Sequence, residues 1–266
     1  MPSLTEEPAF FVREGDRFVP TGQGASPWTR TTQGGIPLAG LIAHNIENIP
    51  APSKMVPARL TIDILGAVPM LPLFCISRII REGRRVQLID MELQAEGRTW
   101  VRASVLRVRS EATPSMNIPL SHSFPDEPEK VIRKVSWSES ISVKSDFLVP
   151  GPGTIWVKFP CQVVEGQAIT PLERIAMASD FGSGIAPLFS SKEWTFANLD
   201  ISIHLSRLPQ GEWLLIDASS ESAGNGIAIV SSRIADKFGM IGTAHQTVFL
   251  DKRQPAQVQK QFIRLK

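Results

Sequence analysis

The sequence predicts an α+β fold made from two copies of one unit. Three observations carry this. Ala58-Arg59-Leu60-Thr61-Ile62-Asp63-Ile64 and Ala197-Asn198-Leu199-Asp200-Ile201-Ser202-Ile203 open two similar runs, 58–109 and 197–250. Each run continues as strand-like segments broken by glycine turns: Glu82-Gly83 and Glu96-Gly97 in the first, Gly224-Asn225-Gly226 and Phe238-Gly239 in the second. Each run is also preceded by a helix-like segment. A helix ahead of antiparallel strands, twice over, is an α+β plan, and a repeat of this length sets the architecture.

Phe10-Phe11-Val12 and Phe18-Val19 flank the Glu14-Gly15-Asp16 turn, a pattern that suits a lead-in hairpin. Leu38, Leu41, Ile42, Ile46 and Ile49 recur at helical spacing over 36–49. Pro37 fits the first turn, where its missing N–H costs nothing, and Pro50 and Pro52 stop the helix. Ile89, Met91, Leu93 and Ala95 alternate with Asp90, Glu92, Gln94 and Glu96, a strand with one packed face. Thr99 to Arg109 continues past the Glu96-Gly97-Arg98 turn.

Residues 111–130 hold Pro114, Pro119, Pro125 and Pro128 and show no periodicity, which marks a linker. Ile155 to Val164 is strand-like. Thr170-Pro171-Leu172-Glu173 is a capping-box helix start, with Leu172, Ile175 and Ala176 as the apolar face and Gly182 and Gly184 as the stop. Strands are expected at 197–206, 212–220, 226–235 and 240–250. The units are therefore 1–112 and 136–253, with a linker at 113–135 and a tail at 254–266. Each helix should lie across the concave face of its own sheet. Joining the sheets edge to edge would hide two exposed edges.

The chain has 266 residues and a net charge of +2, so no basic field points to nucleic acid. No apolar run approaches the roughly 20 residues needed to span a membrane, and Met1 to Glu7 is too polar for a signal peptide. Cys75 and Cys161 sit in strand-like runs and read as buried thiols, which makes the cytoplasm the expected compartment. There is no tyrosine, which excludes a phenol as catalytic acid. No P-loop, dinucleotide fingerprint or metal-ligand spacing is present, so no cofactor and no metal are expected.

Several short motifs in order resemble the double-hotdog acyl-CoA thioesterases, the thioesterase II-like group. They are Thr32-Gln33-Gly34-Gly35, Arg81-Glu82-Gly83-Arg84-Arg85, Asn198-Leu199-Asp200 with His204, and Arg207-Leu208-Pro209. Gly211-Glu212-Trp213-Leu214-Leu215 and Asp236-Lys237-Phe238-Gly239 running on to Gln246 complete the set. The resemblance covers nearly the whole chain. It implies two tandem hotdog units, each a central helix wrapped by an antiparallel sheet. It implies an acyl-CoA or related acyl thioester as substrate, and an aspartate, a hydroxyl residue and a glutamine holding the attacking water. The aspartate maps onto Asp200 and the glutamine onto Gln246. Glu221 falls at the hydroxyl position, flanked by Ser220 and Ser222 as the candidate hydroxyls.

Asp200 could take a proton from water, yet Ser202 and His204 share its strand face, as they would on a solvated strand. Gln246 lies among Ala244, Val248 and Leu250, where an amide needs partners. Gly34-Gly35 before Ile36 suggest a bare helix N-terminus able to receive the thioester oxygen. Asp180, near the end of the second helix, resembles the helix carboxylate that some single-hotdog thioesterases use as base or nucleophile, or it caps the helix end. His204 could serve as a base or simply pack. Arg84 and Arg85, with Arg81, form a turn that could clasp coenzyme A phosphates or belong to a solvated sheet face.

Three functions stay open at this level. One is hydrolysis of an acyl thioester. Another is a different reaction on an acyl or polyketide-like substrate: dehydration, isomerisation or cyclisation. The third is acyl binding without turnover. Free sheet edges point to a homodimer.

Overall fold

The computed structural model describes residues 8–114 and 133–253. The first half runs β1 (Ala9–Glu14), β2 (Arg17–Pro20), α1 (Gly35–Glu47), β3 (Met55–Ile64), β4 (Leu73–Arg81), β5 (Val86–Ala95) and β6 (Arg98–Arg109). The second runs β7 (Arg133–Val135), β8 (Ser138–Lys144), β9 (Gly153–Lys158), β10 (Gln162–Val164), α2 (Pro171–Ser179) and α3 (Gly182–Ile185). It continues through β11 (Trp194–Asn198), β12 (Asp200–Leu205), β13 (Leu214–Glu221), β14 (Ile227–Asp236) and β15 (Gly239–Lys252).

The repeat is real and fixes the sheet. The first half stacks β2-β4-β5-β6-β3 and the second stacks β9-β13-β14-β15-β12, with β3 and β12 antiparallel at the seam. Ile62 and Ile201, equivalent in the two sequence repeats, are direct partners across that seam. The pseudo-twofold axis therefore passes between them. Only three residues separate β9 from β10, yet β10 pairs with β1 at the far end of the strand order. The sheet thus curls until its ends nearly meet around the helices, which is the double hotdog.

The helices lie together at the centre rather than each in a separate cup. A Cβ at Gly40 of α1 would sit 3.0 Å from Val163 and 3.1 Å from Met177 of α2, so glycine permits the close approach. One apolar core runs through both halves, with Leu41 and Ile62 in the same cluster as Met177 and Ile201. The antiparallel helices create two junctions. At one, the start of α1 meets the end of α2. At the other, the end of α1 meets the start of α2, where His44 Nδ1 and Glu173 Oε1 lie 2.7 Å apart, both buried. Arg107 seals that second junction by donating to the Ile46 and Ile49 carbonyls.

Several boundaries move for physical reasons. The expected strand 155–164 breaks at Phe159–Cys161, around Pro160, so that β10 can leave for the other half. The second helix stops at Ser179, ahead of the expected glycines, and Gly182–Ile185 forms a separate turn. Strand β7 occupies residues assigned to the linker, while the rest of the linker core and the tail lie outside the described residues. Among the described residues the sheet ends in β7 and β10, of three residues each. Both cysteines are free, and burial pushes each thiol up to about 12.

Candidate active site

A cavity of about 530 Å³ opens where α1 begins and α2 ends. Gly34 is the N-cap of α1 and has no side chain to cap the helix. The cap comes instead from the other half of the molecule. Asp180, the C-cap residue of α2, accepts the Ile36 N–H and, at 2.7 Å, the Asn198 amide. A Cβ at Gly35 would fall 2.6 Å from both Asp180 carboxylate oxygens. Glycine at 35 is therefore what allows the carboxylate to reach the helix terminus.

The Asp180 carboxyl is held by opposing forces. Burial pushes it up, and the Asn198 and Ile36 hydrogen bonds pull it down; the balance is about 7. Its place at the negative end of its own helix and the positive end of α1 makes those dipoles oppose as well. The result is a carboxyl poised to exchange a proton near neutral pH while facing the cavity.

Gln246 is brought to the same place, in a different role from the one its motif suggests. Its Oε1 accepts the Ser183 N–H at 3.0 Å and its Nε2 donates to the Asp180 carbonyl at 3.3 Å. The amide thus clamps the turn from Asp180 to Ser183 and is not part of the cavity wall. Gly182 makes room for it, since a Cβ there would lie 2.5 Å from Gln246 Oε1.

Asp200 is not brought to the cavity. Ser202 lies four positions after Asn198, while their partners Val248 and His245 on β15 are only three positions apart. One extra residue on this strand is a β-bulge, and it reverses the alternation. Asn198 turns inward to Asp180, while Leu199 is 46% exposed and Asp200 Oδ1 accepts the Thr247 N–H at 2.6 Å. The Asp200 carboxylate satisfies backbone that the bulge would otherwise strand.

The other expected site residues divide similarly. Gly34 and Gly35 line the cavity as expected. Ser220 donates to the Ala186 carbonyl and Ser222 to the Ile227 carbonyl, and Glu221 between them is exposed. His204 is exposed, opposite Arg59 and Thr243. Arg84 and Arg85 are exposed, beyond the end of α1 opposite the cavity. Ser53, beyond the helix C-terminus, bonds the Arg84 carbonyl, and α1's 13 residues put this turn about 20 Å from Gly35. The arginine on the cavity wall is Arg133, stacked 5.1 Å over the Phe147 ring.

Asn198, Ser183 and Arg133 are the site residues that the sequence reading did not single out. Asn198 stood inside a quoted motif, and the spacing of Ser183 from Asp180 was visible; Arg133 carried no local signal. Among the described residues no three His, Cys, Asp or Glu side chains gather as a metal site, and no helix is long and apolar enough to cross a membrane.

Comparison with known proteins agrees with this architecture. The acyl-CoA thioesterase N-terminal domain matches residues 25–108, and the acyl-CoA thioesterase C-terminal domain matches residues 119–250. No curated protein sequence matches. Among solved structures, the acyl-CoA thioesterase II TesB2 from Mycobacterium marinum is 16% identical, with a TM-score of 0.66 over 92% of this chain and 95% of that one. A conserved hot dog-fold protein of unknown function from Alicyclobacillus acidocaldarius is 13% identical, with a TM-score of 0.70 over 92% and 96%. A tesB protein from Mycobacterium avium subs paratuberculosis is 17% identical, with a TM-score of 0.60 over 91% and 96%. With both domain matches in tandem on one double-hotdog frame, the chain belongs to the acyl-CoA thioesterase family.

Proposed function

We propose that the protein hydrolyses acyl-CoA or a related acyl thioester, with Asp180 as the general base. One observation carries the reading: a carboxyl titrating at about 7 and a bare helix N-terminus share one wall of the cavity. Ile36 N–H is taken by Asp180, so the Gly35 N–H of the same turn serves as the donor to the thioester oxygen. A water beside Asp180 attacks the carbonyl carbon and gives its proton to the carboxylate. The C–S bond then breaks, and the thiolate leaves with the proton that Asp180 returns. The products are a carboxylic acid and a free thiol. Apolar walls, with Phe181 and Phe196 among them, keep bulk water from the carbonyl and leave room for an acyl chain.

The role first assigned to Asp200 passes to Asp180 in this reading, and Gln246 becomes a positioning residue. Thiol release from a panel of acyl-CoA substrates tests it. Asp180→Asn lowers kcat by about 10²–10⁴-fold, the usual worth of a positioned base. Asp200→Asn stays close to wild type. Wild-type turnover by Asp180→Asn would refute the assignment, as would no thiol release by the wild-type enzyme from any acyl-CoA.

A further inference from the structure

A water held by Asp180 alone can swing about one hydrogen bond. Directed attack needs a second fixed partner, and of the hydroxyl residues on the cavity wall Ser183 is the one on the same turn as Asp180. Ser220 and Ser222 are turned to the Ala186 and Ile227 carbonyls, and neither lines the main cavity. Ser183 does line it, together with Asp180 and Gly35, and is buried.

The backbone explains why the two groups share a side. Asp180 has φ −80° and ψ −11°, Phe181 has φ −71° and ψ −23°, and α3 begins at Gly182. Residues three apart on such a turn are neighbours, with Cβ atoms about 5–6 Å apart, or nearly eclipsed where the turn tightens. One water spans that gap with two hydrogen bonds of about 2.8 Å each. The turn is also fixed at both ends by a single side chain, since Gln246 holds the Ser183 N–H and the Asp180 carbonyl.

We propose that Ser183 is a catalytic residue, its Oγ accepting one hydrogen bond from the attacking water while Asp180 removes the water's other proton. The inference rests on the hydrolase reading above. In the step, the water oxygen bonds to the carbonyl carbon, the C–S bond breaks, and the proton passes through Asp180 to the departing thiolate. Ser183 gains and loses nothing; it aims the lone pair.

The test measures kcat and KM of the full chain on an acyl-CoA that the wild type turns over, for Ser183→Ala, Ser183→Cys and Asp180→Asn. Cysteine keeps the volume and offers only a weak acceptor, so it reports on the hydroxyl if alanine disturbs folding. Both Ser183 variants should lose at least roughly tenfold in kcat, with KM within about twofold and an unchanged melting temperature. Mass spectrometry of the wild type during turnover should show no acyl group on the protein. A folded Ser183 variant with wild-type kcat, beside an inactive Asp180→Asn, would overturn the Ser183 role and leave the hydrolase reading standing. An acyl adduct on Ser183 would overturn it too, by making the hydroxyl the nucleophile. Full activity in Asp180→Asn would instead remove the underlying reading, and this role with it.

Discussion

Asp180→Asn should stabilise the protein as it disables it, and the gain should grow with pH. The carboxyl titrates at about 7 in the folded chain, against 3.8 for an unperturbed aspartate. Between those values the folded state holds a proton that the unfolded state has released. The contribution of this carboxyl to stability is therefore greatest below about pH 4 and declines as pH rises through 7. The whole span is worth about 4 kcal/mol at about 1.36 kcal/mol per pH unit. Integrating the two titrations puts about 2.6 kcal/mol of it between pH 5 and pH 8. Asparagine has the same shape and no such dependence. At about 2–4 °C per kcal/mol for a chain of this size, the melting temperature of the variant should gain on wild type by roughly 5–10 °C over that interval. Thermal unfolding of both proteins at pH 5, 6, 7 and 8 measures it directly. Wild-type kcat/KM should rise over the same range, as the base deprotonates near 7. A temperature gap that stays constant from pH 5 to 8 would refute the reasoning, because Asp180 would then titrate like an exposed aspartate.

Gly35→Ala drives a methyl into the space of the Asp180 carboxylate; kcat/KM should drop by about 10²-fold, with circular dichroism showing the fold retained. Gln246→Leu releases the Asp180–Ser183 turn and leaves the buried Ser183 N–H unpaired. It should cost about 1–3 kcal/mol by urea titration and lower kcat more than it raises KM. Glu173→Ala removes the carboxylate half of the Thr170 capping box and the buried partner of His44. A loss of about 3–5 kcal/mol is expected, while activity per folded molecule, scored by active-site titration, stays near wild type.

The elements read well from local chemistry because local chemistry decides them. Thr170, Pro171 and Glu173 fix a helix start within four residues, and the structure has both capping-box hydrogen bonds. The sequence repeat suggests that two sheets join edge to edge; that the seam is β3 against β12, with the equivalent Ile62 and Ile201 as direct partners, is seen only in the structure. The site was less legible. Simple alternation puts Asn198 and Asp200 on one face, and the bulge that separates them carries no glycine or proline to announce it. Asp180 was visible as a helix-end carboxylate. Its meeting with Gly35 was not, since that contact depends on two helices running antiparallel through a shared core. The place of the Arg84 turn was hidden for the same reason: a turn between two strands does not tell which end of α1 it will lie near.

The two helix junctions are counterparts under the pseudo-twofold axis, and they have had opposite fates. Where α1 starts, a glycine pair leaves a hollow with one buried carboxyl, Asp180, on its wall. Where α2 starts, Thr170, Glu173, His44 and Arg107 fill the corresponding space with polar side chains that bond one another and the helix ends. Doubling the unit thus supplied a spare socket, and the chain has turned that spare into a rivet. The open socket borrows its carboxyl from the opposite half, so cutting the molecule between halves would leave neither piece with a whole one.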